Sequence, residues 1–493
     1  MYSTYVSHLQ KIADLKYASA VLQWDQETYL PQGGNEIRGR QLATLNEVAH
    51  SMFVDEKTGA IIKETLAKND LTPEERRNAE LSLEDYERAV KLSPAFVRKM
   101  SEVVNKSFHS WIAAREQNNF AVFERPLQEV IEVKREEAEQ LGYAKHPYDA
   151  LMNDYDKGLT IEKADRIFDG LRPQLKNLLD SVSSREQVDD NFLRGYFPKD
   201  SQWNLGIELL KKMHFNFDAG RQDISEHPFS TSFNAGDVRL TTRIDENDFA
   251  NMTWSCLHEG GHGLYEQGLP IDQYGLPLGE YCSLSIHESQ SRLWENCVGR
   301  SLPFWEANYS LVKEFFPSQF NNISLHQFYK AINKVEPSLI RTEADELTYH
   351  FHVMIRYELE KKLIGKELDA RDIPAYWNEQ YKNYLGITVP DDKRGCLQDV
   401  HWSHGSFGYF ATYSIGSLYA AQFFNAIEKE NPNLAETMSK GDTLPVWNWL
   451  KQHIYPFGRY YLSEDLCKLA TGEPLNPAHF IAYATKKYSG IYS

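Results

Sequence analysis

Residues 258–262 read His-Glu-Gly-Gly-His, two imidazoles four positions apart with a carboxylate between them. Residues at that spacing lie one above the other on a helix, so His258 and His262 can offer two ring nitrogens to one cation while Glu259 stands beside it. The chemistry this suits is metal-assisted hydrolysis. Zn²⁺ on neutral nitrogen and oxygen donors with one open position brings the pKa of a coordinated water to about 7, and Glu259 is placed to take the proton. Chance also produces such a five-residue pattern in a chain with 16 histidines among 493 residues. Gly260 and Gly261 argue against coincidence, because a glycine inside a helix costs about 1 kcal/mol relative to alanine. Something must need the space there, either substrate or a closely packed neighbouring helix.

A catalytic zinc site needs a third protein ligand. The extended pattern that would supply a third histidine downstream fails, because Tyr265 and Gly268 occupy the positions it assigns to Gly and His. Glu266 shares the helical row, but it lies about 12 Å along the axis from His258, too far for one ion. The ligand must come from a second helix, where Glu288 in His287-Glu288-Ser289-Gln290-Ser291-Arg292 and Glu295 are the candidates. Spacing does not choose between them. Ser285-x-x-Glu288 also reads as a capping box that merely starts a helix, and His287 as either a ligand or a group that orients one.

The elements that would hold these residues are mostly helical. Leu9, Ile12, Leu15, Ala18, Val21 and Leu22 recur at helical spacing over residues 5–23, and Thr72-Pro73-Glu74-Glu75 is a start signal for a helix running to about Leu92. Further helical patterns cover about 36–51, 94–116, 121–141, 160–183, 203–214, 251–268, 285–299, 303–316, 325–333, 341–364, 370–384, 407–427, 431–438 and 443–453, with another in the last segment. Residues 227–243, HPFSTSFNAGDVRLTTR, alternate β-branched and aromatic residues with polar ones around Asn234-Ala235-Gly236-Asp237. They predict a β-hairpin just before the histidine helix. No period of 20–50 residues repeats, which argues against a solenoid.

Composition bounds the rest. Hydrophobic residues make up 42% and charged residues 25%, an ordinary globular balance, and no linker or charge block divides the chain. Residues 1–493 are therefore expected to form one large unit with lobes as its subdivisions. A net charge of −17 argues against nucleic acid or an anionic membrane as the main partner. The odd cysteine count of five, without a CxxC pair, and the absence of a leader-like or 18-residue apolar stretch point to a reduced, cytoplasmic protein.

Six spaced motifs then resemble those of the metallocarboxypeptidases of the carboxypeptidase Taq family. They are His227-Pro228-Phe229, Asp237-Val238-Arg239-Leu240-Thr241, His258 to His262, His287-Glu288-Ser289-Gln290, Ile340-Arg341-Thr342-Glu343-Ala344-Asp345, and Gly395-Cys396-Leu397-Gln398-Asp399-Val400-His401-Trp402. The stretch from Trp24 to Gly34 and the segments at Gly472-Glu473-Pro474-Leu475 and Lys487-Tyr488 are similar too, so the likeness spans nearly the whole chain; Leu30 stands where Met is common. The resemblance implies a mostly α, two-lobed, neurolysin-like zinc-peptidase fold with a deep central cleft. It also implies a homodimer, a Zn²⁺ site that accepts Co²⁺, and broad-specificity release of single C-terminal residues. Under it Glu288 is the third ligand and Glu259 the general base.

A carboxypeptidase must hold a free α-carboxylate, for which paired hydrogen bonds from Arg are suited. Arg341 and Arg239 are the candidates, with His227 grouped beside them as a substrate-binding residue. The alternative for each arginine is an interior salt bridge, with Asp345 or Asp237 as partner. His401 and Tyr409 are candidate hydrogen-bond donors to the developing oxyanion, with Tyr413 as a further choice. Two rival functions remain: a zinc oligopeptidase that cuts internal bonds of short peptides, and a non-catalytic helical scaffold stabilised by zinc.

Overall fold

The computed structural model describes residues 2–493. These are mostly α-helical, with one three-stranded sheet, and the chain divides into two compact units. The first comprises Met1–Val90, Asp189–Ile332 and Tyr419–Leu475; the second comprises Lys91–Val188, Asn333–Leu418 and Asn476–Ser493. No helix among the described residues is long and apolar enough to cross a membrane.

In the first unit the histidine helix spans Phe249–Gly268 and starts where Asp248 accepts a hydrogen bond from the Ala250 N–H at 2.8 Å. An N-cap carboxylate here satisfies one of the free first-turn amides and complements the positive end of the helix. The same end is clamped by aromatic rings, Phe249 lying 5.0 Å from Phe320 and 5.8 Å from both Phe316 and Phe328, all buried. Edge-on ring packing of this kind burys large apolar areas with a defined geometry, which fixes the helix against rotation.

The two adjacent glycines resolve as close packing. A Cβ on Gly261 would sit 2.5 Å from the Gln290 carbonyl oxygen and 2.7 Å from the Ser291 Cα, so the backbone of the next helix, Leu284–Arg292, lies directly against it. A Cβ on Gly260 would meet Leu210 and Met213 side chains at 2.7 and 2.8 Å. Gly261→Ala is therefore expected to destabilise the fold by about 2–3 kcal/mol, the upper range for overpacking, because backbone cannot step aside as a side chain can. Gly260→Ala should cost less. Urea midpoints of the two variants check the order.

The hairpin forms as β2 (Ser230–Asn234) and β3 (Asp237–Thr242), antiparallel, with Asn234 Oδ1 accepting from the Gly236 N–H at 2.8 Å across the turn. A third strand, β1 (Gly220–Ile224), pairs parallel with β3, giving the order β1-β3-β2. Its sequence, GRQDI, carries no apolar alternation, and so hid from pattern reading. Its buried side chains are polar and hydrogen-bonded: Gln222 Nε2 donates to Cys256 Sγ, and Asp223 accepts from Arg221 and from Tyr29. On β3, Leu240 reaches the histidine helix, where a Cβ on Gly263 would lie 2.8 Å from its Cδ2.

Elsewhere the start signal at Thr72 forms as a capping box with Glu75, opening the helix Pro73–Ala89. The pattern at 341–364 breaks in two: a single turn at Arg341–Glu343, then a helix at Tyr349–Ile364 in the second unit. The physical reason is Asp345, whose carboxylate accepts from the N–H groups of Leu347 and Thr348 and from the Thr348 hydroxyl, a local arrangement that competes with helix. The pattern at 285–299 likewise divides, Leu284–Arg292 being α-helix and Leu293–Val298 a π-helical continuation.

Candidate active site

His258, His262 and Glu288 come together, with one donor atom from each lying within 4.8 Å of the others. Glu288 Oε2 is 3.7 Å from His258 Nε2 and 3.5 Å from His262 Nε2. Donors about 2.0–2.1 Å from a tetrahedral cation stand about 3.3 Å apart, so these separations fit one Zn²⁺-sized ion, and an N,N,O set suits Zn²⁺ or Co²⁺ better than Mg²⁺ or Ca²⁺. Glu288 rides on a helix whose N-cap is Ser283, accepting from the Ile286 N–H at 3.1 Å. The alternative reading of Ser285-x-x-Glu288 as a capping box does not hold, because Ser283 caps the helix and the Glu288 carboxylate faces the histidines.

Each histidine is turned by what holds its other nitrogen. His258 Nδ1 donates to Glu295 Oε2 at 2.9 Å. His262 Nδ1 lies 3.0 Å from the His287 carbonyl oxygen and 2.6 Å from His287 Nδ1, while His287 Nε2 lies 2.8 Å from Glu266 Oε1. One assignment of protons satisfies the chain: His287 donates to Glu266, His262 Nδ1–H points at His287, and His262 Nε2 is left as a lone pair toward the site. Glu295 and Glu266 thus face the outer nitrogens of His258 and His287 and are not among the three converging donors, and His287 lies between Glu266 and His262. Burial lowers the His262 pKa to about 3, and the nearby His287 adds to this, so the ring is neutral and able to ligate at neutral pH.

Glu295→Gln should weaken Zn²⁺ binding about 10- to 100-fold, the usual cost of losing such a partner. Competition against a chromophoric chelator measures it; an unchanged affinity would show that Glu295 only fills space.

Glu259 is buried beside this set, and Ser230 on β2 hydrogen-bonds to it. Burial pushes its carboxyl up to about 7 against the pull of His258, before the charge of any cation is counted. A carboxylate in that range is suited to take and return a proton near neutral pH.

On β3, Arg239 forms a two-point ion pair with Asp237, both bonds 2.9 Å, and its guanidinium stacks 4.3 Å over Trp24 and 4.9 Å over Phe233. His227 is exposed on the loop between β1 and β2, its carbonyl accepting from Ser225 Oγ at 2.6 Å.

In the second unit Arg341 is buried and pairs with Asp399, not Asp345: Nε and Nη2 reach Asp399 Oδ1 at 2.9 and 2.8 Å. The other Asp399 oxygen accepts from Arg356 Nε at 2.6 Å. Sequence reading passed over Arg356 and Asp399 as contributors. Their signal was present, since an arginine inside the apolar run of Tyr349–Ile364 needs a buried partner. His401 Nε2 lies 3.2 Å from the Tyr413 hydroxyl, and the Tyr409 ring packs 5.3 Å from the His401 ring and 4.9 Å from that of Tyr413. Burial, reinforced by Arg341, lowers the His401 pKa to about 3.

A helical chain with two histidines of one helix and a glutamate of a second around a single cation position, and a buried glutamate beside them, has the site of a metal-dependent hydrolase. Comparison with known proteins narrows this. The family described as Carboxypeptidase Taq (M32) metallopeptidase matches residues 4–488. The chain is 36% identical to Carboxypeptidase 1 of Bacillus subtilis, covering 98% of this chain and 97% of that one. It is 37% identical to Thermostable carboxypeptidase 1 of Thermus thermophilus, covering 100% and 99%. The crystal structure of an M32 carboxypeptidase from Deinococcus radiodurans R1 superposes with a TM-score of 0.97 at 36% identity, covering 100% of this chain and 99% of that one. The chain belongs to the carboxypeptidase Taq family and is a metallocarboxypeptidase.

Proposed function

We propose that the chain is a zinc enzyme that releases single C-terminal residues from peptides with broad specificity, all of residues 1–493 serving one peptidase. His258, His262 and Glu288 hold the cation. When bound, Zn²⁺, or Co²⁺ in its place, supplies Lewis acidity that acidifies water and polarises a carbonyl. Glu259 takes the water's proton and returns it to the departing amine. His401 and Tyr409 donate hydrogen bonds to the developing oxyanion, with Tyr413 holding His401 in place.

The observation that carries the preference for a free C-terminus is the Arg341–Asp399–Arg356 cluster. Two buried guanidiniums share one carboxylate, so the group retains one positive charge in the interior, and Arg356 Nη2 makes no hydrogen bond to the protein. Burying an uncompensated charge is costly, and a substrate carboxylate would neutralise it. Arg239 carries no such excess, because Asp237 already balances it; with His227 it is assigned to the peptide further from the C-terminus.

Five cysteines, none of them in a disulfide among the described residues, support a reducing, cytoplasmic setting. A homodimer is part of the same reading, testable by light scattering. An N-blocked peptide offered as free acid and as C-terminal amide, with Zn²⁺ and a chelator control, tests the activity by mass spectrometry. Stepwise loss of single residues, from the free acid far faster than from the amide, is the expected result. Internal cuts in both peptides would make it an oligopeptidase, and no metal-dependent cleavage would leave a zinc-stabilised scaffold.

A further inference from the structure

We propose that Arg292 fixes Glu288 as a one-oxygen ligand, and so sets how many positions on the cation stay open for water and substrate. The proposal rests on the reading of His258, His262 and Glu288 as the metal set, and deepens it. Arg292 lies one turn beyond Glu288, and its Nε donates to Glu288 Oε1 at 2.7 Å. That leaves Oε2, which accepts only the longer bond from the Ser291 hydroxyl at 3.2 Å, as the oxygen facing the two imidazole nitrogens, at 3.7 and 3.5 Å. The other arm of the guanidinium, Nη1, is 3.1 Å from Glu295 Oε2, the same oxygen that accepts from His258 Nδ1.

One planar cation therefore ties the third ligand to the group that orients the first. Glu288, Arg292, Glu295 and His258 are joined in a chain of three hydrogen bonds, and turning the Glu288 carboxylate would break its bond to Arg292 and its bond from the Ser291 hydroxyl. Glu295 is itself held from behind by Arg300, whose Nη2 is 3.1 Å from Oε1. Arg300 stands five residues on, a spacing that the π-helical segment Leu293–Val298 brings round to the same side. The guanidinium is buried enough for this to be rigid, its side chain being 15% exposed and those of Glu288 and Glu295 6% and 8%.

A carboxylate with both oxygens free can chelate a cation and fill a second position. With Oε1 taken by Arg292, Glu288 supplies one, and two imidazoles plus one oxygen leave a tetrahedral ion its fourth place. A lysine would carry the charge without the two-point fork, so Arg is required by geometry rather than by sign. Affinity alone would not decide the matter, since deleting a positive charge beside a cation tightens binding electrostatically while loss of order loosens it.

The test is the visible absorption of the full-length enzyme, stripped with chelator and reloaded with Co²⁺, in wild type, Arg292→Met and Arg292→Lys. Co²⁺ in a four-coordinate site absorbs far more strongly than in five- or six-coordinate ones. Wild type should show the intense four-coordinate band, and both variants a band severalfold weaker and shifted to shorter wavelength as Glu288 chelates. Arg292→Lys guards against misfolding of the methionine variant. Wild-type intensity in the variants, or a weak band already in wild type, would overturn the proposal with the ligand set intact. Undiminished Co²⁺ binding in Glu288→Gln would instead remove the ligand set itself.

Discussion

Glu259→Gln should lower kcat for peptide hydrolysis by about 10²–10⁴-fold while the protein keeps its full complement of zinc. The side chain is nearly isosteric, and Glu259 is not among the three donors that converge, so the substitution removes no ligand. What the amide lacks is basicity. The environment of Glu259 has already been arranged for that property: burial raises its carboxyl to about 7, while Ser230 on the adjoining strand holds it in place. Residues without a chemical task are seldom buried as lone acids in this way, because the desolvation is uncompensated. Kinetics on a chromogenic free-acid peptide, together with metal analysis of the same sample, decide the matter. Turnover within about tenfold of wild type would assign the base elsewhere; loss of zinc with loss of activity would make Glu259 a structural support of the site.

The candidate metal set was legible because its rule is local. Four-residue spacing on one helix places His258 over His262, and the failure of Glu266 by axial rise forces the search onto a second helix. Choosing Glu288 over Glu295 was beyond spacing, since both lie on the same face seven residues apart. The choice is made by contacts that no periodicity encodes: Glu295 is drawn to Nδ1 of His258 and to Arg300, whereas Glu288 Oε2 faces both Nε2 atoms. Gly260 and Gly261 signalled close approach, but only the structure shows that the backbone at Gln290 and Ser291 is what approaches.

Strand β1 and the turn at Asp345 were missed for a common reason. In both, polar side chains make the hydrogen bonds that set the structure, locally at Asp345 and across to Cys256 from Gln222, in place of the apolar pattern on which strand and helix reading depends. The interior partner of Arg341 was sought four residues on and found instead at Asp399, on a distant segment of the same unit. Long-range pairing of charges leaves no trace in the spacing of a single sequence.

Arg341→Met is expected to lower kcat/KM for a free-acid peptide by about 10²-fold, about 3 kcal/mol, within the range for losing one partner of a buried charge-assisted contact. The amidated peptide should be nearly unaffected, so the ratio between the two substrates is the quantity to measure. Stability is the competing explanation, because removing one member of a buried ion pair often costs 3–5 kcal/mol. Here that cost is reduced: Asp399 keeps Arg356 as its counter-ion at 2.6 Å, and the remaining pair is electrically neutral. The neutrality is also why discrimination should collapse, since the charge left over for a substrate carboxylate has gone. A variant that is merely less stable would lose both substrates in proportion and leave the ratio unchanged, which would sink the assignment. Arg239→Met supplies the contrast. It removes a guanidinium already balanced by Asp237 and stacked on Trp24, so its effect should fall equally on acid and amide.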